Sequence, residues 1–549
     1  MEKSGYIGLV KSALENYSEL PALSDFKGDT ITFKEVGKSI YRCHQVFKAL
    51  GIKPGDKVAL IGRNSTNWAL IYLSTVTYGA IIVPILPDFS PSDINHIVNH
   101  SESLLLFTSD QIFDKIDETK MPSLKGIISV NDFSVIVDNN GKVRKAIDKA
   151  QEEIAKTGDS FDVGMINFFS PKADDIMVLS YTSGTSGFSK GVLLPHRSIW
   201  SNVQYARDTF DIVPGERIVS FLPLAHTYGC LFEFLWPFTE GCHVTFLSRT
   251  PSPQIITEAF RNVKPHLILS VPLVLEKIFK KQILPQLEKK SLKALLKLPV
   301  LNKLVYARIK DKLTEAFGGE FREMVIGGAA LNKDVEIFLR KIGFPLTVGY
   351  GMTECGPLIS YAPWDETKPQ SAGRIVHRME VKIDSDDPYN KVGEILVRGE
   401  NNMIGYYKNK QATSEVLDSE GWLHTGDLGI IDKDNFIFIK GRSKNMILGP
   451  SGQNIYPEEI EAVINNKEYV QECLVREDNG KIEALVYPDY EAVDAENLSD
   501  EDIEKILQNI KKEVNQELPA FMTISRIVLF PEEFEKTPKN SIKRYKYQS

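Results

Sequence analysis

Cysteine is scarce. Five residues in 549 (Cys43, Cys230, Cys242, Cys355 and Cys473) are scattered along the chain, with no C-x-x-C pair. That scatter argues against a disulfide framework or a structural zinc site and fits a reducing compartment. Long apolar runs are missing too. The longest, such as AIIVPIL at 80–86, have strand length and fall far short of the ~18 residues of a membrane span. The opening stretch MEKSGYIGLVKSALENYSEL is amphipathic and broken by charge, so no secretory signal is expected and the reading is a cytoplasmic protein. Nor is basic charge in excess. The 65 Lys and Arg against 73 Asp and Glu leave −8, which argues against nucleic acid as the main partner. An anionic small molecule at a local basic site stays open. Tandem repeats and low-complexity tracts are absent.

What is present reads as α/β. The composition, 42% hydrophobic and 25% charged, is that of a globular protein, and 549 residues exceed a single ordinary core. From residue 57 the chain gives KVALIG, then NWALIYLSTVTYG, then AIIVPIL. The pattern predicts an apolar strand, an amphipathic helix opened by Ser65 and Thr66 and stopped by Gly79, and a second apolar strand. Continuously apolar strands imply burial on both sheet faces. The alternation continues through SLLLFTS (103–109), IMVLSYT (176–182), RIVSFLPL (217–224), HVTFLS (243–248), PHLILSVP (265–272), REMVIGG (322–328) and LTVGYG (346–351). The expected architecture is a large N-terminal domain of mixed β-sheets flanked by helices. Near residue 432 the texture changes to shorter strands and helices, and a small mobile α+β domain is expected at 444–549, after an N-terminal domain at 1–443.

Residues 277–316 are Leu- and Lys-rich, helical in spacing, and interrupted by Pro285 and Pro299. Two readings stand: a basic face resting on anionic lipid, giving peripheral membrane contact, or a helical pair packed on the domain with solvated lysines. The second is preferred.

The stretch YTSGTSGFSKGV at 181–192 carries the chemistry. A P-loop requires G-x-x-x-x-G-K-[ST] followed at once by a helix. Here Phe188 and Ser189 separate Gly187 from Lys190, and the following VLLPH is a strand-like run ended by Pro195. The loop therefore joins strand to strand, which excludes a P-loop kinase. It still suits phosphate. Glycines expose backbone N–H groups, Thr182, Ser183, Thr185 and Ser186 donate hydroxyls, and Lys190 adds a charge.

YTSGTSGFSKGV closely resembles the signature loop of the adenylate-forming superfamily, which includes acyl-CoA synthetases, adenylation domains and luciferases. Ser186 stands where threonine is usual and Ser189 where proline is usual. In order follow FLPLAHTYG (221–229), GGAAL (327–331), GYGMTECGP (349–357), GEILVRG (393–399), GWLHTGDLG (421–429), IKGRSKNMI (439–447) and GQNIYPEEIE (452–461), each similar to a segment of that family. The resemblance spans nearly the whole chain.

It implies ATP, Mg²⁺ and CoA as cofactors. Thr182, Ser183, Gly184, Thr185, Ser186, Gly187 and Lys190 would cradle phosphates, with Thr353 at the α-phosphate and Glu354 on the metal. Gly328, Ala329 and Ala330, with Tyr350 and Gly351, would form the adenine slot. Asp427 would take the ribose hydroxyls, assisted by Arg442. Lys444 fits a hinge about which the small domain turns between two half-reactions, and Gly449, Gly452, Gln453 and Asn454 would line the CoA channel. His226 reads equally as a core histidine or an acyl-pocket wall.

One departure matters. The family's P-K-T-x-x-G-K-I-x-R ending becomes EKTPKNSIKR here, with Ser541 at the lysine that drives adenylation and Asn540 at the glycine. A serine cannot supply that charge. Lys539 or Lys543 swings in, or this subgroup organises the site differently, or the protein adenylates poorly; the first two rank above the third.

The insertion before FREMVIGGAAL, and KPHLILSVPLVLEKI itself, resemble long-chain fatty acyl-CoA synthetases. The expected activity is an AMP-forming fatty acid–CoA ligase acting on a medium- to long-chain acid. Alternatives are acyl transfer to a carrier protein's phosphopantetheine and a catalytically impaired acyl- or nucleotide-binding homologue. Fatty acid and CoA are the expected partners, with an acyl carrier protein and a second copy of the chain as further candidates.

Overall fold

The computed structural model describes residues 5–157, 160–182, 189–249, 252–282, 299–448, 453–537 and 541–548. The βαβ unit forms around residue 57. Lys57–Ile61 and Ile81–Ile85 pair in parallel, Lys57 opposite Ile81 through Ile61 opposite Ile85. Between them runs the helix Thr66–Tyr78, capped by Ser65, whose Oγ accepts the Trp68 N–H, and ended by Gly79 at φ 92°. The sequence pattern makes this helix amphipathic, but the structure buries every residue from Trp68 to Thr77. Its hydroxyls explain the difference. Thr75 Oγ1 donates to the Ile71 carbonyl at 2.8 Å and Thr77 Oγ1 to the Leu73 carbonyl at 2.6 Å, so these two threonines are satisfied within the helix and can be buried.

The sheet built on this unit has eight strands. In spatial order they are Gly405–Tyr406, Lys190–Pro195, Ile176–Thr182, Ile81–Ile85, Lys57–Ile61, Leu105–Thr108, Gly126–Ser129 and Val135–Asp138. The middle five are parallel, and antiparallel pairs close both ends. Ile176–Thr182 and Lys190–Pro195 are antiparallel neighbours, so the glycine-rich loop joins strand to strand as its sequence requires. The helix His196–Thr209 starts only beyond Pro195.

Most of the expected strands are shorter than their apolar runs, and two show why. In LTVGYG, Leu346–Val348 joins one three-stranded sheet and Tyr350–Gly351 another, the chain changing sheets at Gly349. In RIVSFLPL only Arg217–Ser220 is strand, because side chains take over the backbone groups of the following residues. Of the 277–316 insertion, the helix Pro299–Ala316 sends Ile309 and Leu313 into the main core and leaves Lys303 and Lys312 exposed. That part is a helix packed on its domain with exposed lysines. Residues 283–298 lie outside the described ones.

The main apolar core ends, in sequence, at Ile437. A separate core starts at Ile447 and gathers Ile460, Ile464, Val475, Val486, Leu507 and Val514. It lies between the sheet Val470–Asp478, Lys481–Pro488 and Arg526–Leu529 and the helices Pro457–Ile464 and Asp500–Glu517, an α+β unit.

His44 is buried against the helix Thr66–Tyr78, its Nε2 donating to the Ser74 carbonyl at 3.0 Å. Burial lowers its pKa from 6.5 to about 4, because a charged ring would lose its water. Between those values the unfolded chain holds a proton that the folded chain refuses. Stability from this residue is therefore full above pH 6.5 and drains as pH falls towards 4. His44→Gln removes that drain. The stability gap between wild type and this variant, from urea unfolding at pH 7 and pH 4.5, is expected to narrow by roughly 2–3 kcal/mol. An unchanged gap would mean that His44 is charged in the fold.

Candidate active site

Lys190 opens its strand opposite Thr182. Ser183, Gly184, Thr185, Ser186 and Gly187 lie outside the described residues. On the other side of Lys190–Pro195 the short strand Gly405–Tyr406 pairs antiparallel, Tyr406 opposite Val192. Lys190 Nζ stands 4.9 Å from the centre of the Tyr406 ring. The Tyr406 hydroxyl donates to Glu354 Oε1 at 2.9 Å. Burial pushes the Tyr406 phenol up, and the neighbouring Glu354 charge adds to it, so this group stays a donor. One tyrosine thus contacts both Lys190 and Glu354. The sequence reading missed it; the only cue is the G-Y-Y triplet shortly after GEILVRG.

Glu354 sits in the turn Thr353–Cys355, next to buried Thr353, and its carbonyl accepts the Met403 N–H at 2.7 Å. The helix His196–Thr209 holds both segments. Asn202 accepts the Leu358 N–H at 2.9 Å and donates to the Cys355 carbonyl at 3.1 Å. Ser198 donates to the Asn401 carbonyl at 2.6 Å, and Arg197 to the carbonyls of Glu400 and Asn402. Gly356 has φ 60°, and a Cβ there would lie 2.2 Å from Ser198 Oγ, so only glycine fits the turn.

Asp427 is 3% exposed. Tyr350 Oη donates to its Oδ2 at 2.7 Å, and Arg442, its antiparallel ladder partner, lies with Nε 2.9 Å from Oδ1. Burial pushes the Asp427 carboxyl up, and Arg442 opposes that shift. The strand Tyr350–Gly351 runs on into the turn Thr353–Cys355 that carries Glu354, so the two groups share one stretch of chain. Gly351 is exposed beside Tyr350, and Gly328, Ala329 and Ala330 form an exposed turn after the strand Glu323–Ile326. Tyr228 anchors that strand's end by donating to the Val325 carbonyl at 3.0 Å.

The FLPLAHTYG segment borders an apolar cavity. Tyr72, Val178, Leu224, Ala225, Thr227 and Gly356 line part of this narrow space. His226 caps the short helix Thr227–Gly229, its Nδ1 accepting the Tyr228 N–H at 3.3 Å, while its neighbours Ala225 and Thr227 face the cavity. Two residues unnoticed in the sequence hold the segment. Asn64 donates to the Leu222 carbonyl at 2.7 Å and accepts the Leu224 N–H at 3.1 Å. Glu233, fully buried, accepts the Leu222 N–H at 3.0 Å. An acid inside the apolar run CLFEFLWPF was its only signal.

Further along, Lys444 is exposed in the turn Ser443–Asn445, Gln453 and Asn454 are exposed, and Gly449 and Gly452 lie outside the described residues. Asn445 donates to Glu458 Oε1 at 2.6 Å, tying that turn to the first helix of the C-terminal unit. At the chain's end Lys536 and Ile542 form an antiparallel bridge, and the Thr537 N–H donates to the Ser541 carbonyl at 2.8 Å. Ser541 is exposed on one arm of this hairpin; Lys539 falls outside the described residues. Lys543 Nζ is 3.6 Å from Glu535 Oε2.

A mixed α/β body with this strand–loop–strand element, joined to a separate α+β unit with its own core, defines the architecture of adenylate-forming enzymes. The chain belongs to the AMP-binding enzyme family: residues 10–407 match the AMP-binding enzyme and residues 444–549 the AMP-binding enzyme C-terminal domain. It is 29% identical to the peroxisomal long chain acyl-CoA synthetase 7 of Arabidopsis thaliana over 474 residues, which cover 81% of this chain and 66% of that protein. It is 26% identical to the chloroplastic long-chain-fatty-acid–acyl-carrier-protein ligase AEE15 of Arabidopsis thaliana, over 92% of this chain and 79% of that one. The fold is shared with the anthranilate CoA ligase AuaEII, solved in complex with anthranoyl-AMP, at a TM-score of 0.79 and 20% identity, over 100% of this chain and 97% of that one.

Burial holds the Glu233 carboxyl far above the usual carboxylate range, and its Oε1 has no hydrogen-bond partner. The folded state keeps this proton to higher pH than the unfolded one. The stability it contributes is full below about pH 4.5 and is lost as pH rises through the folded value. Glu233→Gln has the shape of the neutral acid and nothing to ionise. Its melting temperature is expected to rise relative to wild type between pH 5 and pH 8; a constant difference would show that Glu233 is not held neutral.

Proposed function

We propose that this chain activates a medium- to long-chain fatty acid with ATP and transfers the acyl group to CoA, releasing AMP and pyrophosphate. One observation carries the reading: the Lys190–Tyr406–Glu354 group and the Asp427–Tyr350–Arg442 group are joined by the short stretch from Tyr350 to Glu354. A cation and a carboxylate fit a polyphosphate with its counter-ion, and a buried carboxylate with an arginine fits a vicinal diol. In the first step a carboxylate oxygen of the acid bonds to the α-phosphorus and the bond to pyrophosphate breaks. In the second, the CoA sulfur bonds to the acyl carbon and the bond to AMP breaks. Lys190 and the 182–187 loop hold the β- and γ-phosphates, Thr353 the α-phosphate, and Asp427 with Arg442 the ribose. The adenine lies against Gly328, Ala329 and Ala330, with Tyr350 and Gly351 alongside.

Among the described residues no three His, Cys, Asp or Glu side chains gather as a metal cage. Glu354 suits Mg²⁺ on those terms, since that ion accepts one carboxylate and fills its other positions with phosphate and water, neutralising phosphate charge when bound. The space lined by Tyr72, Val178 and Leu224 is apolar, which favours an apolar acid, and at about 10 Å³ it must widen to admit an acyl chain. Two domains, 1–443 and 444–549, turn about Lys444, which brings Gln453 and Asn454 to the CoA path. Lys543 pairs with Glu535 at 3.6 Å, and either Lys543 or Lys539 replaces the lysine missing at Ser541.

ATP–pyrophosphate exchange dependent on palmitate or octanoate, without CoA, tests the first step. Glu354→Gln is expected to lower it by roughly 10²-fold or more, as for other preorganised charge stabilisers. Of Lys539→Ala and Lys543→Ala, the variant that loses exchange marks the replacement. No exchange with either acid, in protein that binds ATP, would sink the ligase reading. With exchange in hand, CoA and a phosphopantetheinylated carrier protein are compared as acceptors.

A further inference from the structure

Lys190 and Glu354 carry opposite charges and flank one side chain, yet they form no ion pair with each other. Tyr406 lies between them. Its ring face lies under the ammonium at 4.9 Å, and its hydroxyl takes Glu354 Oε1 at 2.9 Å. That hydrogen bond fixes the rotation of the carboxylate and leaves Oε2 for a cation. The tyrosine itself is firmly placed. It is 9% exposed, its strand pairs with Lys190–Pro195, and its N–H donates to Thr413 Oγ1 at 2.9 Å.

We propose that Tyr406 is a positioning residue that holds Glu354 and Lys190 apart in fixed geometry, so that one remains open to Mg²⁺ and the other to phosphate. The proposal rests on the roles given above to Glu354 and Lys190. Two parts of the side chain do separate work. The hydroxyl orients the metal-facing carboxylate, as outer hydrogen bonds do for metal ligands generally. The ring is a spacer; without it, Glu354 and Lys190 close into an ion pair and each blocks the other's ligand.

The test is equilibrium binding of ATP by calorimetry, with and without Mg²⁺, alongside exchange activity and melting temperature. Tyr406→Phe keeps the spacer and removes the hydroxyl. It is expected to melt near wild type and to bind ATP alone normally. The Mg²⁺ concentration that half-saturates its enhancement of ATP binding should rise roughly tenfold, the scale of lost outer-shell support. Tyr406→Ala should in addition weaken binding of ATP alone severalfold. In a Glu354→Gln background the Tyr406→Phe effect should vanish, since the two act as a unit.

A Tyr406→Phe protein with wild-type Mg²⁺ dependence would overturn the proposal. So would a shift that persists undiminished with Glu354→Gln. Unchanged binding of ATP alone by Tyr406→Ala would overturn the spacer role. If wild type binds no ATP with or without Mg²⁺, the functional reading itself fails, and this role with it.

Discussion

The structure depends on one piece of strand pairing. Lys190–Pro195 lies antiparallel between Ile176–Thr182 and Gly405–Tyr406 at the end of the large sheet. That arrangement makes the glycine-rich segment a strand-to-strand loop and puts Lys190 at its exit. It also delivers Tyr406 from more than 200 residues away in sequence to the other side of the lysine. Glu354 then follows, since the Tyr406 hydroxyl and the Met403 backbone fix its turn. Shift the third strand by one residue and Tyr406 would face the opposite side of the sheet.

Around that pairing, two buried carboxylates are accommodated in different ways. Asp427 has a tyrosine and an arginine. Glu233 has no cation and stays neutral instead, where it serves as a backbone clamp for the FLPLAHTYG segment. A buried charge without compensation is too costly to keep, so these are the two available solutions. Function follows the distinction. Asp427 lies where a ligand is proposed to bind, whereas Glu233 supports the segment beside the apolar cavity.

Legibility in the sequence was uneven. The apolar runs located the parallel strands well, and the ordered motifs located Lys190, Glu354, Tyr350, Asp427 and Arg442. Errors came where side chains substitute for backbone pairing. The helix Thr66–Tyr78 looked two-faced because its threonine hydroxyls satisfy themselves locally. The run RIVSFLPL looked like one strand because Asn64, more than 150 residues upstream, gives no sign of reaching Leu222 and Leu224. Tyr406 and Glu233 were invisible for the same reason: an aromatic and an acid acquire their meaning from what they touch.

The sequence by itself determined the local chemistry: which segments bury, which loop suits phosphate, that Pro195 forbids a P-loop, and that a serine replaces a lysine at position 541. These depend on residue type and near-neighbour spacing, which a chain carries before it folds. Only the tertiary structure decided that Lys190 and Glu354 share one tyrosine, that Arg442 pairs with Asp427, and that Lys543 is engaged by Glu535. Those contacts are set by strand register and by packing across long sequence separations. No local pattern encodes them, because each partner's position is fixed by the whole sheet rather than by its neighbours in the chain.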